Sequence, residues 1–318
     1  MKKLYILLTV IVCTVSGLKA QQVPQYAQYM LNSYILNPAV SGTEDYYEVK
    51  SNNRYQWVGV TDAPRTYILS VQGPHRKRSM GFGGSVYSDI TGPTSRTGAY
   101  LSYAYHVKLS PTFKLSFGLS FGVMQFKIDG SKVTLKEGND PAMSTGVMSA
   151  ITPDATFGTY FYSKNLYIGV SMPQLIGNKL NFFDNVSASQ SRLARHLLVQ
   201  AGYTFHLGEN FTIQPSVLLK YVAPVPMQID FGLKIGYKDI VWVGSAFRTK
   251  DAVSVMAGFN IGKNLILGYA YDFNTSSLRN YSNGSHEVMI GARFAKIRHT
   301  DEAPAESPVE TPTKEEKK

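Results

Sequence analysis

The chain has 318 residues, a formal net charge of +10, 12% aromatic residues and a mean hydropathy of -0.12. No stretch after residue 20 approaches the ~18 consecutive apolar residues of a membrane helix, so helical spans are excluded. The single cysteine, Cys13, lies within the first twenty residues, which leaves the remainder without disulfides or thiolate chemistry. The positive charge is dispersed, with one small cluster at Arg76, Lys77 and Arg78 that reads as a solvated turn, so no nucleic-acid surface is implied.

Residues 1–20 read as a secretory signal: Lys2 and Lys3, an apolar run from Leu4 to Val15, then Leu18-Lys19-Ala20 before Gln21. Val12 occupies the place where a lipid-attachment motif needs a small residue, which argues against lipidation at Cys13. Residues 21–45 mix aromatics with amides, as in Gln25-Tyr26-Ala27-Gln28-Tyr29-Met30, Asn32 and Tyr34-Ile35-Leu36-Asn37-Pro38-Ala39. Amides can satisfy buried polar groups, so this composition suits a segment packed in or under a lumen.

From residue 46 to 295 the pattern is alternation. Phe113, Leu115, Phe117, Leu119, Phe121 and Val123 alternate with Lys114, Ser116, Gly118, Ser120 and Gly122. Successive side chains of a strand point to opposite faces, so the segment has one apolar face and one small, polar face. Its length matches the roughly 9–11 residues of a tilted membrane-crossing strand. The pattern recurs at 229–237, 253–261 and 265–273. In all, about fourteen strands are expected, at 46–57, 63–73, 80–89, 96–109, 113–127, 153–163, 165–173, 192–207, 211–222, 227–238, 240–248, 252–261, 264–273 and 285–294. Tight turns at 110–112, 164–165, 208–210, 238–239 and 262–264 alternate with longer loops at 129–152, 174–191 and 274–284. The fold class is therefore all-β, a transmembrane antiparallel barrel with short periplasmic turns and longer extracellular loops. An even strand number places both termini in the periplasm, and a secretory signal with two-faced strands and no helical span fits a bacterial outer membrane.

Glu48, Lys50, Arg54, His106, His196, Gln214, Lys220, Asp230, Lys234, Glu287 and Arg293 fall on the inward parity of their strands. Facing the bilayer, a Lys or Arg would cost about 2–4 kcal/mol, so a wet, mixed-charge lumen is the simplest reading. Residues 296–318 carry Asp301, Glu302, Glu306, Glu310, Glu315 and Glu316 with three prolines, and read as a disordered acidic periplasmic tail.

Gln28-Tyr29, Asn32, Asn37-Pro38-Ala39 and Gly42 resemble the N-terminal signature of the PorP/SprF family of the type IX secretion system in Bacteroidota. Arg54-Tyr55-Gln56-Trp57-Val58-Gly59, Ala63-Pro64-Arg65-Thr66 and Gly81-Phe82-Gly83-Gly84 continue the resemblance, which spans motifs over roughly 24–105. It implies a non-enzymatic outer-membrane partner of secreted surface proteins, such as gliding adhesins, that carry a C-terminal secretion domain. The other implied partners are the translocon and the periplasmic components of that machine. Arg54, Gln56 and Trp57 are expected as structural organisers. Arg54 and Gln56 would face the N-terminal segment, with Gln28 and Asn37 as their partners, and Trp57 would sit at the interface.

Two alternatives compete. A plugged transporter of hydrophobic small molecules would share the barrel and plug; Pro215, unable to donate a ladder bond, hints at a kinked strand. A hydrolase could draw on Asp89, His106, His196 and Asp230, but their spacing carries no signature. No catalytic, cofactor-binding or metal-binding residue is assigned from the sequence, and no cofactor is expected.

Overall fold

The computed structural model describes residues 24–75, 79–133, 146–177, 179–180, 191–262 and 264–295. The expected signal, the cluster at 76–78, parts of two long loops and the acidic tail lie outside these residues. Fourteen long strands run β1 (Tyr47–Tyr55), β2 (Arg65–Pro74), β3 (Met80–Thr91), β4 (Thr94–Lys108), β5 (Lys114–Asp129), β6 (Val147–Tyr162) and β7 (Leu166–Met172). They continue as β8 (His196–Tyr203, resuming at Phe205–Leu207), β9 (Phe211–Val222), β10 (Val225–Tyr237), β11 (Val241–Arg248), β12 (Ala252–Ile261), β13 (Leu265–Asn274) and β14 (Ser285–Phe294). Each is antiparallel to its neighbours in sequence, and β14 pairs with β1 over nine residues, from Tyr47↔Phe294 to Tyr55↔His286. The sheet is thus a closed barrel with no free edge between its first and last strands. A short pair, Lys179–Leu180 with Ser191–Arg192, stands in the β7–β8 connection.

Alternation decides which face meets lipid. Along β5, Phe117, Leu119, Phe121 and Val123 are exposed on the outer face, while Ser116 and Ser120 are buried within. Stacked or tilted rings band the outer surface at the end carrying the tight turns: Phe113 on Phe161 at 5.2 Å and Phe211 on Tyr237 at 4.9 Å. Tyr271 against Phe273 at 4.6 Å marks the opposite, loop end. Such bands suit the two membrane interfaces, where an amphipathic ring has both an apolar and a wet side.

Three irregularities interrupt the regular wall. The 129–152 loop is shorter than expected, because β6 starts at Val147 and pairs with β5 through Asp129↔Val147. Pro153, which has no hydrogen to donate, masks that start in the sequence; it sits in the ladder opposite Val123. β7, by contrast, has only seven residues and pairs with β6 only from Phe157 to Tyr162. Above that, one bond, Leu175 N–H to the Ala155 carbonyl at 2.9 Å, continues along β6. Pro215 is accommodated where the β8–β9 ladder lapses, between Gly202↔Ser216 and Phe205↔Ile213. Thr204 N instead donates to Asn165 O at 2.8 Å.

Replacing Leu119 by Arg puts a guanidinium on the lipid face of β5, and the expected loss of folding stability is about 2–4 kcal/mol at mid-membrane depth. Urea titration of the barrel in lipid vesicles measures it; an unchanged midpoint would show that this face does not meet the bilayer.

Candidate functional site

Residues 24–46 occupy the barrel interior, and the apolar core lies there rather than between sheets. Tyr26, Tyr29, Met30 and Leu36 pack against Ile68, Leu198, Leu218, Trp242 and Met256, all inward side chains of the wall. The segment folds as a turn and two single-turn 3-10 helices, Ser33–Ile35 and Pro38–Val40. The second begins as its residues dictate: the Asn37 side chain accepts from Ala39 N at 3.0 Å, and Pro38 at the first position has no N–H to leave unpaired. The same Asn37 amide donates to Thr159 O at 3.0 Å and to Val170 O at 3.4 Å, so one side chain caps the helix and ties it to β6 and β7.

Other ties go round the wall. Asn32 Nδ2 donates to Asn52 Oδ1 at 2.8 Å and to Ser70 Oγ at 3.2 Å. The Tyr29 hydroxyl meets Ser216 Oγ at 3.0 Å, and the Tyr34 hydroxyl meets Ser102 Oγ at 2.9 Å. Ser41 O lies 2.9 Å from His106 Nε2, and Lys50 Nζ donates to Leu31 O. Room for the segment comes from glycine. A Cβ on Gly118 would stand 2.2 Å from Ala39 N, and one on Gly158 would stand 2.0 Å from Asn37 Oδ1. On the inner face of β5, Gly118 is therefore glycine because the plug backbone touches it, whereas at Gly122 the crowding comes from Ala99 and Tyr100 of β4.

The electrostatic centre is Glu287 on β14, fully buried. Its carboxylate accepts from Ala27 N at 2.7 Å and Gln28 N at 3.2 Å, and pairs with Arg54 Nη1 at 3.2 Å. Gln28 Nε2 donates back to Glu287 O at 3.0 Å. Arg54 Nη2 reaches Asp272 Oδ2 at 2.6 Å, and Asp272 in turn accepts from Arg248 Nη1 at 3.4 Å. Arg248 continues to Asp230 at 3.2 Å and Asp251 at 3.1 Å, and Lys220 joins Asp230 at 2.9 Å. Charges taken out of water persist only when paired and hydrogen-bonded, and this chain of alternating signs meets that condition.

The structure places the motif residues as follows. Gln28, Tyr29, Asn32, Asn37 and Pro38 are buried in the plug. Arg54 meets Gln28 through their shared acceptor Glu287, whereas Asn37 sits against β6 and β7, away from it. Gln56 lies beyond β1, its N–H donating to Pro64 O at 2.9 Å across the β1–β2 connection. Trp57 follows with a positive φ of 49°, a conformation few non-glycine residues adopt. Its N–H donates to Ser285 Oγ at 3.2 Å, joining this connection to the start of β14. Arg54 and Arg248 converge on Asp272 from strands one removed on either side of it; inward parity marks all three as lumenal, but that β14 lies beside β1 is a tertiary fact. Of the hydrolase candidates, His106 bonds Ser41 and Tyr162, and Asp230 bonds Arg248 and Lys220. Among the described residues no group of His, Cys, Asp and Glu could hold a metal ion.

The family model for the type IX secretion system membrane protein PorP/SprF matches residues 18–292. The chain belongs to that family. No curated protein matches it in sequence. In fold, this PorP/SprF barrel is similar to the toluene transporter TbuX of Ralstonia pickettii, with a TM-score of 0.51 and 10% identity over 84% of this chain and 93% of that one. Lower likenesses join it to the CymD monoaromatic hydrocarbon channel (TM-score 0.47, 12% identity, 89% of this chain and 95% of that one) and a Pseudomonas aeruginosa FadL homologue (0.42, 11%, 78% and 88%). Such identities speak for barrel architecture alone. Family and fold together make the protein an outer-membrane barrel of type IX secretion.

Removing the Arg54 guanidinium leaves Glu287 and Asp272 with uncompensated buried charge, a change that costs about 3–5 kcal/mol. Arg54→Ala is expected to lower stability by that order, loosen the plug and raise conductance in planar bilayers. A barrel as closed as the parent would refute this role for the Arg54 pairing with Glu287 and Asp272.

Proposed function

We propose that this barrel serves type IX secretion as a non-enzymatic, plugged partner rather than as a conduit. The supporting observation is the plug itself: residues 24–46 are bonded to strands all round the wall, from Asn52 and Ser70 to Thr159, Ser216 and Glu287. A lumen so occupied suits a surface for other proteins better than a pore. In this reading residues 1–20 are a cleaved signal, and both termini and the acidic tail face the periplasm with the rest of the secretion machine. The loop end faces outward and engages the C-terminal domain of a secreted protein, such as a gliding adhesin, for export or surface retention.

A second reading, a transporter of hydrophobic small molecules, draws on a cavity of about 120 Å³ above the plug, lined by Tyr26, Tyr34, Tyr87 and Tyr100 with Leu36 and Ile68. Its size suits one small aromatic molecule. The fold likeness to a toluene transporter is compatible with it.

Deleting the protein is expected to abolish surface display of one or a few secreted proteins while other type IX cargo still reaches the surface. Unchanged display, with lost uptake of a hydrophobic solute, would favour the second reading.

A further inference from the structure

Between the plug and the turn end of the barrel lies a cavity of about 580 Å³, lined by five lysine and arginine side chains against three carboxylates. Glu48 serves two of the cations, Lys50 Nζ at 2.7 Å and Arg293 Nε at 3.3 Å. Lys114 rests its ammonium over the Tyr162 ring at 5.7 Å, without a carboxylate. Lys234, inward on β10, makes no ion pair or hydrogen bond among the described residues. Its register partners are Gln214 and Gly244, both neutral. Lys50 and Arg293 add like charge around it, with Asp239 in the adjoining turn opposing them. Lys234 is half-buried, and with five cations against three carboxylates the vestibule carries a surplus of positive charge that an anion would offset.

The chain carries a matching segment next to it. Arg293 lines the vestibule and β14 ends at Phe294, on the same rim. After Lys296 and Arg298, the stretch 301–313 holds Asp301, Glu302, Glu306 and Glu310 and no lysine or arginine. Asp301 follows Phe294 by seven residues, an extended reach of about 23 Å at ~3.3 Å per residue. A short tether of this kind holds its ligand at an effective concentration of roughly millimolar, so modest ion pairs suffice for docking. We propose that the acidic stretch 301–310 docks in this vestibule, with a glutamate carboxylate against Lys234. Docked there, the tail neutralises the surplus positive charge of the vestibule.

The experiment uses the full-length protein in detergent micelles and a water-soluble carbodiimide. The reagent activates a carboxylate as its O-acylisourea; a touching amine displaces the urea and forms an amide. Peptide mapping of the monomeric product is expected to show Lys234 joined to Glu302, Glu306 or Glu310. The link should weaken at ~1 M salt, where the Debye length is about 3 Å. It should vanish when Asp301→Asn, Glu302→Gln, Glu306→Gln and Glu310→Gln are combined, a variant that leaves every barrel residue in place. Lys234 joined only to Glu44, Asp45 or Asp239, or left unmodified while the tail carboxylates react elsewhere, would overturn the proposal.

Discussion

The structure turns on one ion pair at the seam where the barrel closes. Arg54 of β1 and Glu287 of β14 stand directly opposite in register, so their contact spans the first and last strands of the cylinder. The same carboxylate receives the plug backbone at Ala27 and Gln28. Seating the plug and shutting the wall are therefore one event in electrostatic terms. The plug is made first by the chain but acquires its acceptor only when the final strand is in place. Until then Glu287 and Arg54 lack their strongest partners, and hydration is their only compensation.

From that pair the rest of the interior follows by the same rule. Asp272, Arg248, Asp230 and Lys220 extend the alternation of sign across four further strands, each charge before the terminal Lys220 lying between opposite neighbours. Where the plug touches wall backbone, no side chain fits, and Gly118 and Gly158 stand there. Where it carries amides, the wall offers carbonyls or amides of its own, as at Asn37 and Asn32. The outer face needs none of this because lipid asks only for apolar surface.

Much of this fold was legible in the sequence because a barrel writes its topology as period-two alternation broken by turns. Leu119 outward and Ser120 inward needed only the pleat. Val147 to Thr152 escaped because Pro153 reads as the first residue of a strand, yet a ladder tolerates a proline in its interior where no donor is required. Site residues were less legible. Parity places Glu287 and Asp230 in the lumen, but the meeting of Arg54 with Asp272 depends on the last strand pairing with the first, which no local pattern records. The motif Asn37-Pro38-Ala39 is local chemistry, a cap, a helix start and a close contact, and can be read directly from those residue types.

The brevity of β7 has a consequence for the symmetry of the wall. Seven residues at ~3.3 Å each rise about 23 Å before any tilt is taken into account, less than the ~30 Å hydrocarbon layer. The adjoining β6, with sixteen residues, overtops it. On that flank β6 runs from Thr156 back to Val147 without a β7 partner, and Leu175 N–H to the Ala155 carbonyl carries the pairing on. A cylinder so stitched is not equivalent in every direction: its ladders are shortest along the two edges of β7.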